Sequence, residues 1–104
     1  MDKTIWLVQT TLPDDMIEPI IGSWSTYFVE SGLTKCIQRS MITSIYEWEN
    51  GIHNSKEWKI QMKVTNHNKN SLIKLIRDKH PYDIPQIISW KVETTADYAR
   101  WIEE

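Results

Sequence analysis

A chain of 104 residues is enough for one domain with a single core, so residues 1–104 are expected to form one unit. Its formal charge of −2 with no run of five like charges provides no basic face for nucleic acid, and no apolar stretch approaches the roughly 18 residues of a membrane span. One cysteine, Cys36, excludes an internal disulfide, and MDKTIWLVQTTLPDD has too short an apolar run for a signal peptide, so a cytoplasmic protein is expected.

Thr4–Thr10 (TIWLVQT) is short, β-branched and aromatic, which predicts a strand. Pro13-Asp14-Asp15 marks a turn. Ile17, Ile20, Ile21, Trp24 and Phe28 then follow the three-four spacing of an amphipathic helix, with Pro19 tolerable only in its first turn and Gly32 as its stop. Lys35–Glu49 has no helical stripe. It alternates, with Ile37, Met41 and Ile45 on one face and Cys36, Ile42, Tyr46 and Trp48 on the other. Asn50-Gly51 signals a hairpin turn, and Lys56–Thr65 returns with Trp58, Ile60, Met62 and Val64 in strict alternation. Asn66–Asn70 (NHNKN) is predicted to be a polar loop that offers a helix cap. Leu72, Ile73, Leu75, Ile76 and Lys79 predict a short helix ended by His80-Pro81. Gln86–Thr94 is the fourth predicted strand, and Ala96–Glu104 a final helix with Tyr98, Trp101 and Ile102 on its apolar side. The order is that of an α+β, ferredoxin-like β-α-β-β-α-β sandwich with a long hairpin and a C-terminal helix.

The hairpin is too long for its domain. Some 15 residues of strand span about 50 Å at roughly 3.3 Å each, whereas a domain of this size is about 30 to 35 Å across. The strand must therefore break at a bulge, curl back or overhang. An overhang carrying Tyr46, Trp48, Trp58 and Ile60 would expose aromatics and unpaired edges unless a partner covers them. Six tryptophans suit such an interface, because one large ring buries much area at low entropic cost. A closed homo-oligomer with strand pairing between subunits is the expected solution.

Metal chemistry has little local support. His53, His67 and His80 are far apart, and no paired ligand spacing occurs. Cys36 reads as a strand residue, and Met41 and Met62 read as core rather than as soft ligands. No nucleophile elbow, oxyanion hole or phosphate-cradling glycine loop is present, so no enzymatic activity is expected. In HPYDIPQI (His80–Ile87) the two prolines hold the residues before them out of the helical region, which makes a stiff elbow. A stiff elbow is also a good place to hold His80 and Tyr82 toward a cleft.

Several motifs together resemble the CutA family of divalent-cation tolerance proteins. Ser44-Ile45-Tyr46-Glu47-Trp48 with a following glycine is similar to the family's S-x-Y-x-W-x-G hairpin, and Glu57 and Lys63 fall where the family carries a glutamate and the lysine of a K-T pair. HPYDIPQI resembles H-P-Y-E-x-P-E-I, Tyr98-Ala99-Arg100-Trp101 resembles Y-x-x-W, and Gly32-Leu33-Thr34-Lys35-Cys36 resembles the stretch that carries the family cysteine. The chain also departs from the pattern: Gly51 comes one place later after the tryptophan than in the family. Gln86 stands for a glutamate, which removes a hard ligand, and Val64 stands for a threonine. Lys35 stands for an alanine, and Ile37-Gln38 for Val-Asn. The resemblance implies a homotrimer held by the long hairpins. It also implies intersubunit clefts built from Trp48, Glu57, Lys63, His80, Tyr82, Gln86, Tyr98 and Trp101, with Cys36, Glu57 and His80 as metal ligands. No cofactor would be obligatory; copper or another divalent metal, or a small effector, would bind there. The alternative function is that of a PII-like signalling protein, with Lys63 drawing a small anionic metabolite and the trimer regulating a protein partner.

Overall fold

The seven elements that form from this pattern are β1 (Lys3–Pro13), α1 (Glu18–Glu30), β2 (Cys36–Trp48), β3 (Gly51–Val64), α2 (Asn66–Asp78), β4 (Ile87–Thr94) and α3 (Ala96–Glu103) in a computed structural model that describes Met1–Glu104. The strands make one sheet in the order β2-β3-β1-β4, and every neighbouring pair is antiparallel. This is the expected ferredoxin-like α+β arrangement.

Period-two alternation sorts the sheet into two faces. Val8 and Leu12 of β1 and Ile60, Met62 and Val64 of β3 point one way and are fully or almost fully buried with Ile21 and Phe28 of α1 and Leu72 and Ile76 of α2. Ile5 points the opposite way, where it packs with Ala99 and Ile102 of α3 beside Val92 and Cys36. Helices α1 and α2 thus cover one face, and α3 covers only one end of the other. The α1 stripe is narrower than its spacing predicts, since Ile17 and Ile20 are exposed. Met62 is core as expected, but Met41 is 43% exposed because β2 is the edge strand and α1 covers little of it.

Besides β1, which runs on to Pro13 rather than ending at Thr10, three boundaries differ from the sequence expectation. Helix α2 starts at Asn66, not after a loop, because the Thr65 hydroxyl accepts the Asn68 amide hydrogen bond at 3.2 Å. Its first turn is polar because that turn largely faces solvent. The hairpin turn is Glu49-Asn50, at φ 50° and 62°, and Gly51 already pairs with Trp48. The register is held by the buried face, since a slip of one residue would turn Ile60 and Met62 outward. Strand β3 therefore begins at Gly51 rather than Lys56. Its start, IHNS, lies beyond the core and carries no apolar alternation that a sequence could reveal.

The hairpin overhangs. Pairing of β1 to β3 ends at Pro13 opposite Glu57, so Thr43–Trp48 and Gly51–Lys56 pair only with each other. The ladder runs without a break from Cys36–Lys63 to Trp48–Gly51, and the molecule measures 45 × 26 × 21 Å. Its Cα radius of gyration is 14.6 Å, against about 13 Å for a compact chain of this length. On the overhang Ile45 is 70% and Ile52 83% exposed.

Candidate binding cleft

The elbow after α2 is tied to the sheet by one imidazole. The Tyr82 amide donates to His80 Nδ1 at 3.1 Å, so that nitrogen holds a lone pair and the ring proton sits on Nε2. Nε2 then donates to the Thr11 carbonyl at 2.9 Å, with the Thr10 hydroxyl also at 2.9 Å. Trp24 adds an indole hydrogen bond to the Lys79 carbonyl at 3.1 Å. Burial lowers the His80 pKa below its ordinary 6.5, and the Thr11 bond and the Glu57 charge oppose that only in part. His80 is thus a neutral strut.

A pH dependence follows. The unfolded chain binds a proton at His80 near pH 6.5, whereas the folded chain resists it until lower pH. His80 therefore gives its full stabilisation above about pH 6.5 and loses it as pH falls below that value. Denaturation midpoints measured across this window should decline toward acid, and His80→Gln should flatten the decline. An equal slope in both proteins would remove His80 from the account.

The strut positions Tyr82, whose hydroxyl donates to Glu57 Oε2 at 2.8 Å. Burial first, and the Glu57 hydrogen bond and charge second, hold the Tyr82 phenol well above its usual range, so it stays a neutral donor. Glu57 is half-buried. The ion pairs Met1–Glu93, Lys35–Glu104 and Arg39–Glu18 all lie elsewhere, so no cation neutralises it.

Above this pair opens a cleft of about 700 Å³ between the elbow and the overhanging hairpin. Its aromatic walls are Tyr46, Trp48 and Tyr82, and its carboxylates are Glu57 and Asp83. Thr11, Ser44 and Gln86 add polar groups, and Ile45, Pro81 and Ile84 apolar ones. Tyr46 is held by a stack on His53 at 5.5 Å and a hydroxyl contact to Ser55 at 3.2 Å. Gln86 ends a glutamine chain across the sheet, in which Gln61 donates to Gln9 at 3.0 Å and Gln9 donates to Gln86 at 3.1 Å.

The expected site residues therefore fall into two groups within one chain. Trp48, Glu57, Tyr82 and Gln86 line the cleft, with His80 directly behind it. Lys63, Tyr98 and Trp101 gather with Cys36 at the opposite end of the sheet, about 20 Å along β3 from Glu57 by strand rise. There Lys63 Nζ donates to Gln38 Oε1 and lies 3.7 Å from Cys36 Sγ. Tyr98 lies 5.8 Å from the Trp101 ring, which Lys35 covers at 4.6 Å. Burial, and then the Cys36 thiol, push the Tyr98 phenol up to about 12.

Cys36, Glu57 and His80 of one chain do not fit a metal. Cys36 is at the wrong end, both His80 nitrogens are engaged, and no three His, Cys, Asp or Glu side chains converge anywhere. Tyr46, Ser44 and Asp83 sat inside the quoted motifs but were not singled out as site residues. The signal for them is their neighbourhood: Asp83 follows Tyr82, and Tyr46 and Ser44 stand two and four residues before Trp48. Thr11 had no signal, because only strand pairing brings it there.

The family model for CutA1 divalent ion tolerance proteins matches residues 6–104. The divalent-cation tolerance protein CutA of Thermotoga maritima is 32% identical over 99 residues, which cover 94% of this chain and 95% of that protein. The crystal structure of CutA1 from Ehrlichia chaffeensis superposes with a TM-score of 0.86 at 32% identity, over 99% of this chain and 95% of that one. The apo structure of the PII-like protein CutA from Nostoc sp. PCC 7120 shares the fold, with a TM-score of 0.82 at 24% identity over 93% and 92% of the two chains.

Proposed function

Since the chain belongs to the CutA1 divalent ion tolerance family, we propose that it acts as a homotrimer whose clefts hold a small effector, and that it serves divalent-cation tolerance without catalysing a reaction. The observation that carries this reading is the overhang. A hairpin extending past β1 exposes Ile45, Tyr46, Trp48 and Ile52, and most of the sheet face opposite α1 and α2 has no helix over it. A neighbouring copy would cover part of each and leave the cleft at the hairpin base open as an intersubunit one.

The metal part of the reading rests on the family. One chain brings no ligand set together, so copper or another divalent ion would need donors from two subunits, such as Cys36 of one copy and Glu57 of the next. A cytoplasmic location is supported by the free thiol of Cys36, and recovery with periplasmic markers on fractionation would overturn it. The PII-like alternative, sensing of an anionic metabolite, is supported by the shared fold. Within one chain, however, Lys63 is directed at Gln38 and Cys36, not at the cleft.

Light scattering at micromolar concentration should return three times the 12.4 kDa chain mass. A mass of one chain would overturn the trimer. Calorimetric titration with Cu(II), Cu(I) and Zn(II) on wild type and Cys36→Ser tests the metal part, and indistinguishable millimolar affinities in both would remove it.

A further inference from the structure

We propose that the cleft selects a compact organic cation, an ammonium group carrying an apolar body, with Glu57 as its charge partner. This rests on the reading of the cleft as an effector site and adds the chemical class of the effector.

Charge comes first. Within one chain the acidic residues of the lining are Glu57 and Asp83, and no lysine, arginine or histidine lines the space. Asp15 adds to the same negative field at Tyr82. An anion entering here meets repulsion in a partly desolvated space, where charges are poorly screened.

Glu57 supplies the specific contact. It is half-buried and has no cationic partner, and removing a carboxylate from water without one is costly. The Tyr82 hydroxyl occupies Oε2, and the Glu57 carboxylate, which lines the cleft, makes no ion pair. A bound ammonium would complete the carboxylate's shell.

The rings decide between a bare metal ion and an organic cation. Tyr46, Trp48 and Tyr82 line the cleft, and the negative quadrupole of an aromatic face attracts a weakly hydrated cation. Two of them are fixed in advance: Tyr46 by His53 and Ser55, and Tyr82 by His80 and Glu57. A hard divalent ion needs about six oxygen donors and gains nothing from aromatic walls. The volume of about 700 Å³ also suits a small organic molecule rather than an ion.

Titration calorimetry on the 104-residue chain tests this with choline and tetramethylammonium as probes. 3,3-Dimethyl-1-butanol is the uncharged isostere, and citrate and ATP are the anions. The cations should bind wild type, the butanol should bind at least tenfold more weakly, and both Glu57→Gln and Trp48→Leu should lose at least tenfold in cation affinity. Glu57→Gln keeps an acceptor for Tyr82, and circular dichroism and scattering mass confirm that each variant is folded. Equal binding of choline and its uncharged isostere, or unchanged cation affinity in Glu57→Gln, overturns the proposal. Binding of citrate or ATP that is lost in Trp48→Leu also overturns it, yet keeps the cleft as an effector site. Failure of every probe overturns it as well. A thermal-shift screen of wild type against neutral and anionic metabolites then judges the effector reading separately, which fails if none stabilises the protein.

Discussion

Deleting Ser44–Ser55 and rejoining Thr43 to Lys56 through an Asn-Gly turn should yield a folded monomer in place of the proposed trimer. The two cut positions face each other in the ladder, since Ser44 pairs with Ser55 and Thr43 with Lys56, so the shortened strands keep their register. No removed residue pairs with β1 or belongs to either buried cluster. What disappears is the overhang, with Ile45, Tyr46, Trp48 and Ile52, hence the surface that one copy would offer another in the proposed trimer. Circular dichroism should keep its α+β shape while scattering mass falls to one chain. The same deletion removes two of the three aromatic walls, so cleft binding should vanish with assembly. A trimeric mass after deletion would show that the bare sheet face, and not the hairpin, holds the copies together.

Replacing Phe28 with alanine should cost about 3–5 kcal/mol of stability, a large part of the 5–15 kcal/mol typical of a domain. Phe28 is fully buried between α1 and the sheet, and its ring lies 4.5 Å from Trp24 and 5.4 Å from Tyr27. Few neighbours can collapse into the void, since Val8, Leu12, Ile60 and Met62 are held by strands already paired on both sides. The effect also reaches the site, because Trp24 hydrogen-bonds the Lys79 carbonyl at the start of the elbow. Denaturant unfolding of wild type and Phe28→Ala, at one fixed protein concentration, measures the difference. A loss below about 1 kcal/mol would mean that α1 does not pack on the sheet as described.

The residues that align the elbow explain why a stiff joint and a binding surface are the same object here. Pro81 and Pro85 keep the chain extended, the His80 imidazole pins it to the end of β1, and Tyr82 is thereby delivered to Glu57. His80 was expected to face the cleft as a ligand. Its two nitrogens are instead used in holding the chain, so it acts through Tyr82.

Alternation in Trp58, Ile60, Met62 and Val64 and helical spacing around Leu72 and Ile76 are local patterns, and they were enough to order the elements and choose the core face of β3. The overlong hairpin was equally legible, because strand rise and domain width can be compared without coordinates. Boundaries at Asn66 and Gly51 were not, since a solvated first turn and an overhanging strand end bury nothing and so carry no apolar signature. The grouping of the site residues needed the tertiary structure for a different reason. Motif membership and strand rise place Glu57 and Lys63 about 20 Å apart on one strand, but only the tertiary structure shows that the elbow meets Glu57 whereas α3 packs at the Lys63 end. The character of the cleft was decided last and by packing alone: the fold directs Lys63 toward Cys36 and leaves Glu57 unpaired among three aromatic rings. Residue type and spacing determine which elements can form, whereas which charges meet depends on how the sheet edge, the elbow and the hairpin come together.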